Sequence, residues 1–218
     1  MAPSTEDITG FARFQSLWQR NLTESAIDDS LAIYQRLLAG YHEPQRHYHT
    51  LDHIKHCLGM FEDCKALVHD PDSLEMAIWF HDVILESGRH DNEARSADLY
   101  LKLSKGVQRD ETRQLVKRLI MATLHDGDSL EDADSIYMVD IDLSSFGLSW
   151  NGFLGDSQDI RAESPHLCDQ DYQLNQTGFQ RALLARPRFF LSDFFFDRFE
   201  TQARDNLARY FEYLRISG

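Results

Sequence analysis

Clustered positive charge is missing from this chain. Its 22 lysines and arginines are scattered among 36 acidic residues, for a net charge of -14. Surfaces that hold a polyanion need grouped cations, so neither nucleic acid nor an anionic membrane is expected as a partner. A small anionic substrate remains compatible, because a few local cations can outweigh the global charge. Cysteine is scarce: Cys57, Cys64 and Cys168 form no CxxC pair and no even framework. That excludes a disulfide scaffold and fits a reducing compartment. No stretch approaches the ~20 apolar residues of a membrane span. The acidic start, Met1 to Asp7, has no positive region followed by an apolar one, so no signal peptide is readable. The expectation is a cytoplasmic protein.

Strand-type alternation, hairpin signals and internal repeats are also absent. What is present is helical periodicity nearly throughout, and the reading is all-α, a single domain over residues 1–218. Ser4 to Asp7 resembles a capping box for a helix with Phe11, Phe14, Leu17 and Trp18 on one face. A second helix is expected from about Ser25, with Gly40 closing it. A third starts near Thr50, and a fourth starts at Asp70-Pro71 and runs through His81-Asp82 toward Gly88. A fifth begins at Asp91 or Asn92, a sixth covers Asp110 to Leu124, and a seventh covers Ile136 to Leu143. C-terminal helices are expected at about 158–184 and 192–214, with Pro165 a candidate break in the first. The run Phe189 to Phe199 is read as core, with a homodimer face or pocket lid as the alternative.

His-Asp occurs four times, against about one occurrence expected by chance for a dipeptide of such common residues. His69-Asp70, His90-Asp91 and His125-Asp126 fall at helix caps or in polar stretches. His81-Asp82 alone lies in an apolar run, Ala77 to Leu85. Burying an unpaired carboxylate costs several kcal/mol, so such a group pairs, shifts its pKa or binds a metal. His49 and His53 are one turn apart, so both face one way if a helix carries them. Asp140 and Asp142 interrupt a later apolar segment and offer a further anionic ligand. The metal-site core is thus placed at about 45–145.

The ordered set of His, His-Asp and a later Asp resembles the HD superfamily of metal-dependent phosphohydrolases. Tyr48-His49-Thr50-Leu51-Asp52-His53 is similar to a signature of its cyclic-nucleotide phosphodiesterase branch, except that Thr50 replaces an asparagine. Small bacterial proteins described as predicted HD phosphohydrolases look like this chain at Arg46 to His49, Phe80 to Val83, Asn92 to Ala97 and Asp140 to Leu143. The resemblance covers about residues 10–150. It implies metal ligation by His53, His81, Asp82 and Asp142, with His49 protonating the leaving oxygen.

The expected activity is hydrolysis of a small phosphoester or nucleotide by metal-activated water. Two imidazoles and two carboxylates suit one or two divalent ions, Mn, Fe, Ni or Zn, with Mg at an oxygen-rich second position. Glu93 is a candidate water-orienting base, or else a first-turn acid complementing its helix dipole. His125 is a candidate contact to phosphate or a second metal, and Arg46 a candidate phosphate contact. Cys57, one turn beyond His53, is read as a small core residue. The alternatives are a di-iron oxygenase on the same scaffold, with His125 as an added ligand, and a non-catalytic metal-containing nucleotide sensor.

Overall fold

The computed structural model describes residues 8–125, 130 and 132–217, and among them the chain is all-α. Ten α-helices follow in order: α1 Phe11–Arg20, α2 Ser30–Tyr41, α3 Leu51–Cys64, α4 Pro71–Phe80, α5 Asn92–Leu103, α6 Asp110–Ala122, α7 Ala133–Leu143, α8 Trp150–Ala162, α9 Asp169–Ala185 and α10 Asp193–Ser217. Short 3-10 turns at Lys65–Leu67 and Ser144–Gly147 extend α3 and α7. The expected capping box at Ser4 to Asp7 lies outside the described residues, as do residues 126–129 and 131. No described helix is long and apolar enough to cross a membrane. The chain divides into two compact units, residues 1–139 and 140–218. Their boundary falls inside α7 rather than in a linker.

In the first unit α4 is the central helix. Every residue from Ser73 to Phe80 is buried, so the helix has no solvent face, as expected for one enclosed by neighbours. It packs against α1, α3, α5 and α6. Asp70 caps it by accepting from the Ser73 amide, and Pro71 fills the first turn, where a missing N–H is tolerated. Phe14 of α1 meets Trp79 edge-on at 5.4 Å. The buried Glu75 is neutralised by Arg13 of α1 at 2.7 Å.

Three expectations change. The second helix begins at Ser30 rather than near Ser25, because Asp28 accepts from the Ser30 amide and Asp29 from the Trp18 indole. Gly40 does not end that helix, which runs to Tyr41. Glycine is needed there for another reason: a Cβ would stand 2.7 Å from the Val83 carbonyl oxygen. The expected helix over 158–184 is two helices, α8 and α9, separated around Pro165.

In the second unit α10 packs against α8, α9 and the 144–147 turn. Asn206 of α10 donates to the carbonyls of Phe146 and Leu148, both at 2.8 Å. Phe189, Phe190 and Phe195 are fully buried and form core, while Phe194, Phe196 and Phe199 are half-buried.

Candidate metal centre

The site grows from two helix ends in the first unit. Thr50 is the N-cap of α3, and its hydroxyl accepts from the Asp52 amide. Thr50 therefore has a local task. His49 precedes the cap, so it is not on the helix as the spacing suggested; its ring still lies 5.9 Å from that of His53. His53 is on the first turn of α3 and is buried. Tyr48 packs against both rings, at 4.9 Å in each case.

The other half comes from the end of α4, which stops at Phe80 instead of continuing toward Gly88. The last carbonyls of a helix lack intrahelical partners; here a tertiary group takes that of Trp79, and another holds the chain just past the helix. The Tyr41 hydroxyl donates to the Trp79 carbonyl at 3.0 Å, and Arg46 donates to those of Asp82 and Val83. His81 and Asp82 thus occupy the turn just past the helix. Beyond it, Ser96 accepts from the Ile84 amide, Asn92 bonds the Glu86 backbone twice, and Arg95 pairs with Glu86. The Asn92 to Ser96 motif therefore anchors the chain that leaves Asp82.

Three donor atoms converge. His53 Nε2 and His81 Nε2 are 3.2 Å apart. Asp82 Oδ2 is 3.0 Å from His81 Nε2 and 3.5 Å from His53 Nε2. Ligands sharing one ion at ~2.1 Å stand ~3.0 Å apart at a right angle and ~3.4 Å apart at the tetrahedral angle, so the triangle has the right edges for coordination. Tautomer chemistry agrees. His81 Nδ1 is 2.9 Å from the Ile78 carbonyl, which only accepts, so the proton sits on Nδ1. In the neutral ring Nε2 is then a lone pair facing a carboxylate and another imidazole nitrogen. A proton on Nε2 or a cation among the three atoms relieves that conflict. A backbone carbonyl fixing the remote ring nitrogen is also what metal-bound histidines use. Burial pushes the Asp82 carboxyl up, but His81 above all, then His49 and His53, outweigh it and hold it well below the usual carboxylate range.

Cys57 is nearer than its reading as a core residue implied. Donor atoms of His53, Cys57 and His81 all lie within 4.8 Å of one another, so the chain has a group able to hold a metal ion. Its sulfur is 3.6 Å from His53 Nε2 and 3.9 Å from Nδ1. Near-equal distances to the two nitrogens place it beside the body of the ring, off the Nε2 lone-pair line. The signal that could have found it was the one-turn spacing from His53.

The remaining candidates are placed as follows. Asp140 is buried, and both its oxygens are engaged: Leu191 and Ser192 amides donate at 2.8 and 2.7 Å, and the Ser192 hydroxyl at 2.7 Å. Burial pushes its carboxyl up to about 6 against those bonds. Asp140 therefore anchors the start of α10. Asp142 is half-buried in the last turn of α7. Glu93 is in the first turn of α5, where an acid complements the helix dipole. His125 follows the last turn of α6 with φ 55°, in left-handed backbone. Arg46, expected as a phosphate contact, is instead buried and bonded to backbone carbonyls around the site. No family model matches the chain, and no curated protein or solved structure is significantly similar to it.

Proposed function

We propose that the chain is an HD-type metal-dependent phosphohydrolase acting on a small phosphoester or nucleotide in the cytoplasm. The observation that supports it most is the His53, His81 and Asp82 triangle, with the Ile78 carbonyl behind His81 and a third imidazole, His49, beside it. These three side chains would hold the ion. Asp142 is proposed as a further ligand from its place in the sequence, its neighbour Asp140 being engaged elsewhere. Nitrogen and carboxylate donors suit Mn, Fe, Ni or Zn. When bound, such an ion lowers the pKa of water and offsets charge on phosphoryl oxygens.

The chain's own residues supply the rest. His49 is half-buried at the edge of the cluster, where an imidazole can hand a proton to a departing oxygen. Asp82, 3.0 Å from His81 Nε2, supplies fixed negative charge for the cation. Glu93 is proposed to orient water and His125 to contact phosphate.

A panel of nucleotides, cyclic nucleotides and generic phosphoesters, each assayed with Mn, Fe, Ni, Zn and Mg, tests the reading. Turnover should require metal and disappear in His81→Ala and Asp82→Ala. Activity unchanged in those two proteins would overturn it. Oxygen-dependent turnover with two irons per chain would favour the oxygenase alternative, and tight nucleotide binding without turnover the sensor.

A further inference from the structure

Arg46 sits in the irregular segment between α2 and α3, yet its side chain is 0% exposed. A guanidinium withdrawn from water is tolerated only when its donors are matched. Nε donates to the Glu43 carboxylate at 3.1 Å. Nη1 donates to the carbonyls of His49 at 3.0 Å and Asp82 at 2.6 Å, and Nη2 to that of Val83 at 3.0 Å. The guanidinium carbon stands 5.4 Å over the Tyr41 ring. Two of the acceptors lie just past the C-terminus of α4, where partial negative charge favours a cation.

The identity of those carbonyls gives the arrangement its meaning. A single nitrogen, Nη1, bridges the residue bearing the proposed proton donor to a residue bearing a proposed metal ligand. We propose that Arg46 is a positioning residue that fixes His49 relative to Asp82 before metal or substrate arrives. This rests on the roles given to His49 and Asp82 above. His53 and His81 depend on it less, because α3 and the end of α4 carry them and those helices pack directly. Lysine would keep the charge but not the planar fork, so it cannot reproduce the bridge together with the Glu43 and Val83 bonds.

Imidazole NMR of the full chain, labelled at histidine and recorded with and without zinc, tests the proposal in wild type and Arg46→Lys. The His49 resonances should shift and broaden in Arg46→Lys, while those of His53 and His81 stay near their wild-type positions and zinc is still bound. Hydrolysis of a phosphoester with an unactivated alcohol leaving group should fall at least about tenfold, because that step needs the proton. A 4-nitrophenyl ester, whose leaving group departs unprotonated, should fall less than about threefold. Unmoved His49 resonances, or equal losses on the two esters, would overturn the positioning role. If Arg46→Lys does not fold, Glu43→Gln loosens only Nε and should shift His49 in the same direction by less. A wild type that binds no zinc and cleaves neither ester would sink the hydrolase reading, and the His49 resonances would still decide the role of Arg46.

Discussion

His53 and His49 are close in sequence and in space, yet they are assigned different work. His53 brings Nε2 to 3.2 Å from His81 Nε2 and 3.5 Å from Asp82; His49 stands before the helix cap. Removing a ligand should lower metal content and melting temperature together, because an ion that binds only the native state stabilises it by mass action. Removing an acid should leave both intact and slow turnover by ~100-fold or more. His53→Ala is therefore expected to lose metal and melt lower, and His49→Ala to keep metal and lose rate. Metal analysis, melting curves and initial rates on the two proteins check this; the reverse pattern would exchange the roles. At this scale the sequence was informative about chemistry and poor about employment. His81 and Asp82 stood out because polar groups in apolar surroundings demand a partner, and His53 by its one-turn spacing from His49. Nothing local revealed that Asp140 is committed to amides some fifty residues away, or that Arg46 faces carbonyls.

Among the elements, helix existence was legible because apolar periodicity reports which face is buried. Starts were legible where the cap is a neighbour in sequence, as with Thr50 or Asp70-Pro71. The end of α4 was not, because the groups that meet the chain there, Tyr41 at the end of α2 and Arg46 in the segment after it, are distant in sequence. Gly40 shows the same dependence, its Cα lying against the Val83 carbonyl. Gly40→Ala would press a Cβ onto backbone that cannot rotate away. The expected result is a destabilisation of about 1–3 kcal/mol, the range for overpacking, with weaker metal binding because the displaced turn carries Asp82. Urea unfolding and a zinc titration measure the two effects; unchanged metal affinity would mean that the turn absorbs the shift without moving Asp82.

Across the whole molecule, part of the acidic excess is turned inward. Asp134 accepts from the amides of His69 and Asp70, Asp140 from those of Leu191 and Ser192, and Glu200 from those of Phe189 and Phe190. Each carboxylate spans two consecutive N–H groups that no helix serves. Glu200 also pairs with Arg204. Burial pushes the Glu200 carboxyl up, but the two amides and Arg204 outweigh it, and its pKa is lowered. The stability this contributes is present above the unfolded-state pKa of ~4.3 and is lost as pH falls through the lowered folded-state value. Wild type should therefore weaken on acidification below about pH 4, and Glu200→Gln should start less stable at neutral pH with a flatter acid limb. Denaturant midpoints from pH 2 to 7 test this, and parallel acid limbs would remove Glu200 from the account.

Those six amides also have a use as clocks. Backbone protons outside helices ordinarily trade with deuterium from solvent quickly, whereas a proton held by a buried carboxylate must wait for the surrounding structure to open. His69 and Asp70 lie in the first unit, and Phe189 to Ser192 in the second. Deuterium uptake at these few positions would therefore time the opening of each unit separately, in one sample, and zinc should slow the first set by the margin with which it holds His53, His81 and Asp82 together.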